Sequence, residues 1–317
     1  MISHERDNFM KKPILVTGSP RSGSTWVGQM LASSARVAYL HEPFNPDNYR
    51  RGRCKAHFKN RFYYVCDENK ERYKDPIDSL LRYKYQWVTE ISYIKSARDI
   101  GRLLRDSSLY AMYRFLNSRP LIKDPIAIFS AEWLAREFNM DVVIMIRHPA
   151  AFAASIKRKN QPFRFAEILD QPLLMRDYLA PFAHEMEAMR EGGRDRIDEA
   201  ILLWRMIYTQ VQRYQKKYPD WIFIRHEDLS QDPLHRFRDL YEKLNLSYTN
   251  SAEKALRFHT SGSREKIIGG NNISMDSVAN IRSWKKRLTI EEIERVKMGT
   301  EDVCSHFYSE EDWFGDE

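Results

Sequence analysis

Residues 13–17 (PILVT) form a short apolar run, residues 18–26 (GSPRSGSTW) a turn of small residues, and a helical pattern follows to about residue 33. This passage limits the fold more than any other feature. A buried strand that feeds Gly-x4-Gly-Ser-Thr into a helix start is built to hold an anion. Glycines let the backbone bend around the ligand, and the helix offers unpaired N–H groups with the positive end of its dipole. Such a loop belongs at the carboxyl end of a parallel sheet that is covered by helices. Four more runs read as strands: 37–40, 121–123, 141–147 (DVVIMIR) and 221–225 (WIFIR). Helical patterns lie between them, notably 126–138 and a long region over 164–217 that is broken at Gly192 and Gly193. The expected fold is α/β: a P-loop-like three-layer domain spanning 1–317, its central parallel sheet flanked by helices. Insertions 44–119 and 164–200 would form lid and acceptor pocket. Thr289 and Glu292 have the spacing of a capping box, so a further helix is expected to start there.

The loop lacks two parts of a nucleotide triphosphatase. The lysine that would follow the second glycine is replaced by Ser24, and the positive charge comes earlier, on Arg21. The strand over 141–146 ends in Arg147 rather than in a metal-binding aspartate. Pro149 would start the next helix promptly, so that Arg147 and Ser155, about two turns on, could grip one phosphate. A magnesium-dependent kinase remains the alternative enzyme.

Residues 20–26 (PRSGSTW) resemble the 5′-phosphosulfate loop of sulfotransferases that use 3′-phosphoadenosine 5′-phosphosulfate (PAPS), most closely the bacterial and carbohydrate-acting branch. Arg147 followed eight residues later by Ser155 is similar to the family's grip on the 3′-phosphate. Residues 224–233 (IRHEDLSQDP) resemble a strand-ending family motif, and 277–285 (SVANIRSWK) the late loop that covers the nucleotide. The resemblance runs from about residue 13 to 307. It implies sulfuryl transfer from PAPS to a hydroxyl, less readily an amine, of a carbohydrate or small secondary metabolite, with no metal. It places Arg21, Ser22, Gly23, Ser24, Thr25, Trp26, Arg147, Ser155, His226 and Arg282 around the cofactor. His226 stands where relatives carry an adenine-contacting tyrosine. Arg21 and Lys123 would stabilise the sulfate and the bridging oxygen.

Pro125 occupies the place of the histidine base of cytosolic relatives. The base would then be Glu42, at the end of the second strand, with His41 as the runner-up. Alternation along a strand is expected to set these two side chains on opposite faces.

Composition bounds the setting. A 43% hydrophobic content supports a sizeable core, and three cysteines cannot make a disulfide framework. No leader pattern or apolar span is visible, so a cytoplasmic setting is expected. The net charge of +7 calls for an anionic partner. Residues 50–74 hold nine basic residues against three acids, with aromatics between them, while 309–317 hold five acids and no base. The basic segment reads as a lid with its aromatics packed inward; a polyanion- or RNA-binding surface is the non-enzyme alternative. No nucleic-acid motif accompanies it.

Overall fold

The computed structural model describes residues 11–48, 52–191, 195–260 and 281–314. Five strands, β1 (Ile14–Gly18), β2 (Val37–His41), β3 (Arg119–Lys123), β4 (Asp141–Ile146) and β5 (Ile222–Arg225), form one parallel sheet in the order β2-β3-β1-β4-β5. β1 and β3 are buried along their whole length and β4 beyond its first residue. That is why they read as continuous apolar runs and not as alternating patterns. All five strands fall where the sequence places them, as does the α/β class.

Register matters for function. Val16 pairs with Lys123, and Lys123 with His41, so the ends of β2 and β3 stand level beside β1 just before its loop. Helix α1 (Ser24–Ala32) follows that loop and buries Trp26, Val27, Met30 and Leu31. Gly28 lets α1 lie close over β3: a Cβ there would come within 3.1 Å of the Lys123 side chain.

Three helices, α2 (Glu71–Leu81), α3 (Trp87–Ile91) and α4 (Ala97–Phe115), lie in the first insertion. The basic segment before them packs inward. Phe44, Phe58 and Tyr73 stack in series with ring centroids 4.0 and 4.9 Å apart. Arg53 is bonded to Asp106, Arg61 to Asp47, and Lys74 to Glu137. Buried rings cannot serve as a platform for bases. Arg50 and Arg51 lie outside the described residues.

Two helical expectations need correction. Residues 126–138 are not one helix. A 3-10 segment (Pro125–Ser130), capped by the Asp124 carboxylate on the Ile126 N–H, precedes helix α5 (Ala131–Phe138). The second insertion is likewise a chain of short helical pieces from Ala166 to Ala188, interrupted at Pro172 and Pro181, where the missing N–H breaks the ladder. A 22-residue helix, Arg196–Lys217, follows. The capping box is present: Thr289 accepts from the Glu292 N–H and donates its own N–H to the Glu292 carboxylate.

The chain divides into two compact units, Met1–Thr17 with Thr25–Val143, and Gly18–Ser24 with Ile144–Glu317. Among the described residues, no helix is long and apolar enough to cross a membrane.

Candidate active site

The anion loop falls in the second unit. Its two glycines, Gly18 and Gly23, have φ of +143° and +89°, and Arg21 between them has φ +67°. At Gly23 any side chain is excluded, because a Cβ would lie 2.3 Å from Nδ1 of His226. His226 is therefore a buttress behind the loop, with its Nε2 3.3 Å from the Ser230 hydroxyl. Tyr208 supports the loop from another side. Its hydroxyl lies 2.8 Å from Ser19 Oγ and also accepts the Arg147 N–H at 2.8 Å.

Helix α6 (Pro149–Lys159) starts at Pro149, as expected, and brings Ser155 to the loop, where its hydroxyl accepts from Arg21 Nε at 2.9 Å. Four guanidiniums gather here. Desolvation, then Arg158 and Arg147, press the Arg21 pKa down; desolvation and the same two arginines lower that of Arg287. Mutual repulsion of this kind is relieved when an anion binds among the cations. The Ser22 hydroxyl is buried without a hydrogen-bond partner and so has a donor to give. These observations fit a ligand that carries phosphate and sulfate groups.

Neither Arg158 nor Arg287 belongs to a motif legible in the sequence. Glu227, one residue of the 224–233 run, organises the region. It accepts the His148 N–H at 3.2 Å and the Tyr308 hydroxyl at 2.9 Å, and lies 3.6 Å from Arg147 Nε. His148 caps α6 through Nδ1, which accepts from the Ala150 N–H at 3.3 Å, and its ring stacks on Trp284. Burial, foremost, lowers the His148 pKa to about 4, so the ring is neutral. Arg282 is half-buried, just ahead of the short helix Ser283–Lys286. Residues 277–280 of the same motif lie outside the described residues.

The proposed chemical groups fall in the first unit. Lys123 is only 1% exposed and its ammonium bonds Glu42 Oε1; Asn45 donates to Oε2 at 2.7 Å. Burial alone would raise the Glu42 pKa, but Lys123 and the hydrogen bonds outweigh it and hold the carboxylate below its ordinary range. Glu42 is thus ionised, as its place beside Lys123 implies. Asp124 fixes the turn from below: its carboxylate accepts the Phe44 N–H at 2.7 Å, and burial, then Glu42, push its pKa up to about 7.

The expected separation of His41 from Glu42 does not occur. β2 ends at His41, and Glu42 adopts φ +45°, which swings its carboxylate back to 4.0 Å from His41 Nε2. His41 is exposed, and its Nδ1 lies 3.2 Å from the Tyr39 hydroxyl. A cavity of about 40 Å³ adjoins these groups, lined among others by Tyr39, His41, Glu42, Arg53 and Tyr110. Trp26 and Thr25 belong to α1, where the Trp26 ring is part of the core.

The sulfotransferase family profile matches residues 13–173, more than half of the 317 residues, taking in the loop, Glu42, Lys123, Arg147 and Ser155. The chain belongs to the sulfotransferase family. No curated protein matches the sequence. The sulfotransferase domain of the Synechococcus PCC 7002 olefin synthase is similar at 16% identity and a TM-score of 0.50, over 96% of this chain and 97% of that one. A sulfotransferase domain from the curacin biosynthetic pathway is similar at 14% identity and a TM-score of 0.50, over 91% and 97%. Identity this low establishes a shared fold. This sulfotransferase is an enzyme of sulfuryl transfer, and PAPS is the donor of its family.

Proposed function

We infer that the sulfotransferase transfers the sulfuryl group of PAPS to a hydroxyl of a carbohydrate or small secondary metabolite, in a cytoplasmic setting and without a metal. The observation that carries this reading is Arg21 on the Ser155 hydroxyl, with Arg147 and Arg158 near enough to press on its charge and on that of Arg287. One phosphate does not need four guanidiniums; a nucleotide with a second phosphate on its ribose uses them well. PAPS supplies the activated sulfuryl group on its 5′-phosphate and presents a 3′-phosphate that ordinary adenine nucleotides lack.

Arg147 and Ser155 would hold the 3′-phosphate. The loop from Arg21 to Thr25 would hold the 5′ end through its N–H groups, the Ser22 hydroxyl and the start of α1. His226 acts by keeping the loop in shape against Gly23. Lys123 would stabilise charge on the leaving oxygen, and Glu42 would take the proton of the acceptor hydroxyl. The cavity beside Glu42 supports an acceptor that presents its hydroxyl between Tyr39 and Tyr110. His41 is the competing base.

Thermal unfolding with adenosine 3′,5′-bisphosphate, the product nucleotide, tests the reading. Binding only to the folded state should raise the melting temperature, equally with and without chelator. A larger shift from ATP with magnesium, abolished by chelator, would overturn it in favour of a kinase.

A further inference from the structure

Helix α4 has an unusual surface. Its buried side carries Leu103, Ser107 and Tyr110, and Tyr110 also lines the cavity beside Glu42. About a quarter turn away runs a second stripe without a single charge: Ala97, Ile100, Leu104, Ser108, Ala111 and Phe115, at the spacing of one helical face. All six are exposed, Phe115 by 88%. The preceding α3 adds Trp87, Val88 and Ile91, exposed by 46%, 86% and 56%. Exposed apolar side chains along about five turns of α4, and on α3 just before it in the chain, mark a surface that something covers.

The charges around the stripe say what. Lys95, Arg98, Arg105 and Arg114 are exposed around it. The nearby acids are turned to internal work. Asp99 accepts from Ser96 and Arg102, Asp106 holds Arg53 and Arg105, and Glu90 accepts the Gly52 N–H. The rim is therefore positive with its acids withdrawn. A second copy meeting this face about a twofold axis would bring like charges together. An anionic bilayer satisfies both parts: phosphates for the cations and acyl chains for Ile100, Leu104 and Phe115, with Trp87 at the depth where indoles settle.

We propose that α3 and α4 dock this enzyme on an anionic membrane surface. The opposite consequence of the same helix, that Tyr110 lines the cavity next to Glu42, then suggests the acceptor: a hydroxyl on a lipid headgroup presented at that surface. Only this acceptor clause rests on the sulfotransferase reading; docking itself does not.

Sedimentation with phosphatidylcholine vesicles, with and without phosphatidylglycerol, tests it. Association should be about tenfold or more stronger when phosphatidylglycerol is present, and should fall with added salt. Leu104→Glu/Phe115→Glu and, independently, Arg98→Glu/Arg114→Glu should abolish it. Both variants should keep the wild-type melting temperature and its rise with adenosine 3′,5′-bisphosphate, which reports the nucleotide site separately. The proposal is overturned by absence of vesicle binding at low salt, by equal binding to neutral vesicles, or by binding that survives both variants. It is also overturned if the face instead holds a second copy or an acidic protein while leaving vesicles alone.

Discussion

Lys123 keeps an ammonium at 1% exposure with Glu42 as its counter-ion, and this decides how Glu42 is to be tested. Removing one partner of a buried pair strands the other charge, at a cost of about 3–5 kcal/mol. Glu42→Gln should therefore lower stability by that order as well as cut turnover by roughly 10²–10⁴. The two effects separate in the double variant Lys123→Met/Glu42→Gln, which should regain most of the melting temperature and remain inactive. His41→Ala should leave stability nearly unchanged, since the ring is exposed, and should cost less activity. Activity that survives Glu42→Gln and disappears with His41→Ala would make the imidazole the base. Both residues are legible in the sequence, where alternation sets them on opposite faces. The rule of alternation holds only inside a strand, and the left-handed backbone at Glu42 is the first step outside it. Arg158 and Arg287 escaped for a different reason. They lie 129 residues apart, and nothing in either local sequence says that their charges act on one another.

Helix α6 shows how an element ties stability to the site. His148 can cap it only while Nδ1 is unprotonated, and the helix carries Ser155 and Arg158. The folded pKa of about 4 lies below the ordinary 6.5. The unfolded chain therefore takes up the proton first, and the stability contributed by His148 is lost as pH falls from about 6.5 through 4. Its size is roughly 3 kcal/mol. Asp124 runs the other way: its pKa is raised from 3.8 to about 7, so its contribution is complete below 3.8 and is lost as pH rises through 7. His148→Asn keeps a capping oxygen and removes the titration. Chemical denaturation at several pH values should show the acid loss shrink by about 3 kcal/mol in the variant; an unchanged acid limb would place the titrating group elsewhere. At this scale the sequence was largely legible. Pro149 after Arg147 set the start of α6, and Thr289 with Glu292 set the start of the helix Ile290–Cys304. The stepwise path from Ala166 to Ala188 was not legible, because its apolar spacing resembles one helix and two prolines decide otherwise.

Across the whole molecule, the phosphate loop and five apolar runs in chain order make the class of fold legible in the sequence, while the convergence of Arg147, His148 and Glu227 is displayed only by the folded chain. Glu227 holds Arg147 and His148 in place from a segment about eighty residues away. On the proposed function, this convergence reads the 3′-phosphate. Calorimetric titration of adenosine 3′,5′-bisphosphate and of adenosine 5′-phosphate into wild type and Arg147→Ala tests it most directly. Wild type should prefer the bisphosphate, and Arg147→Ala should weaken it by about ten- to hundredfold while hardly changing the monophosphate. Equal losses for the two nucleotides, or no preference in the wild type, would mean that Arg147 does not read the 3′-phosphate.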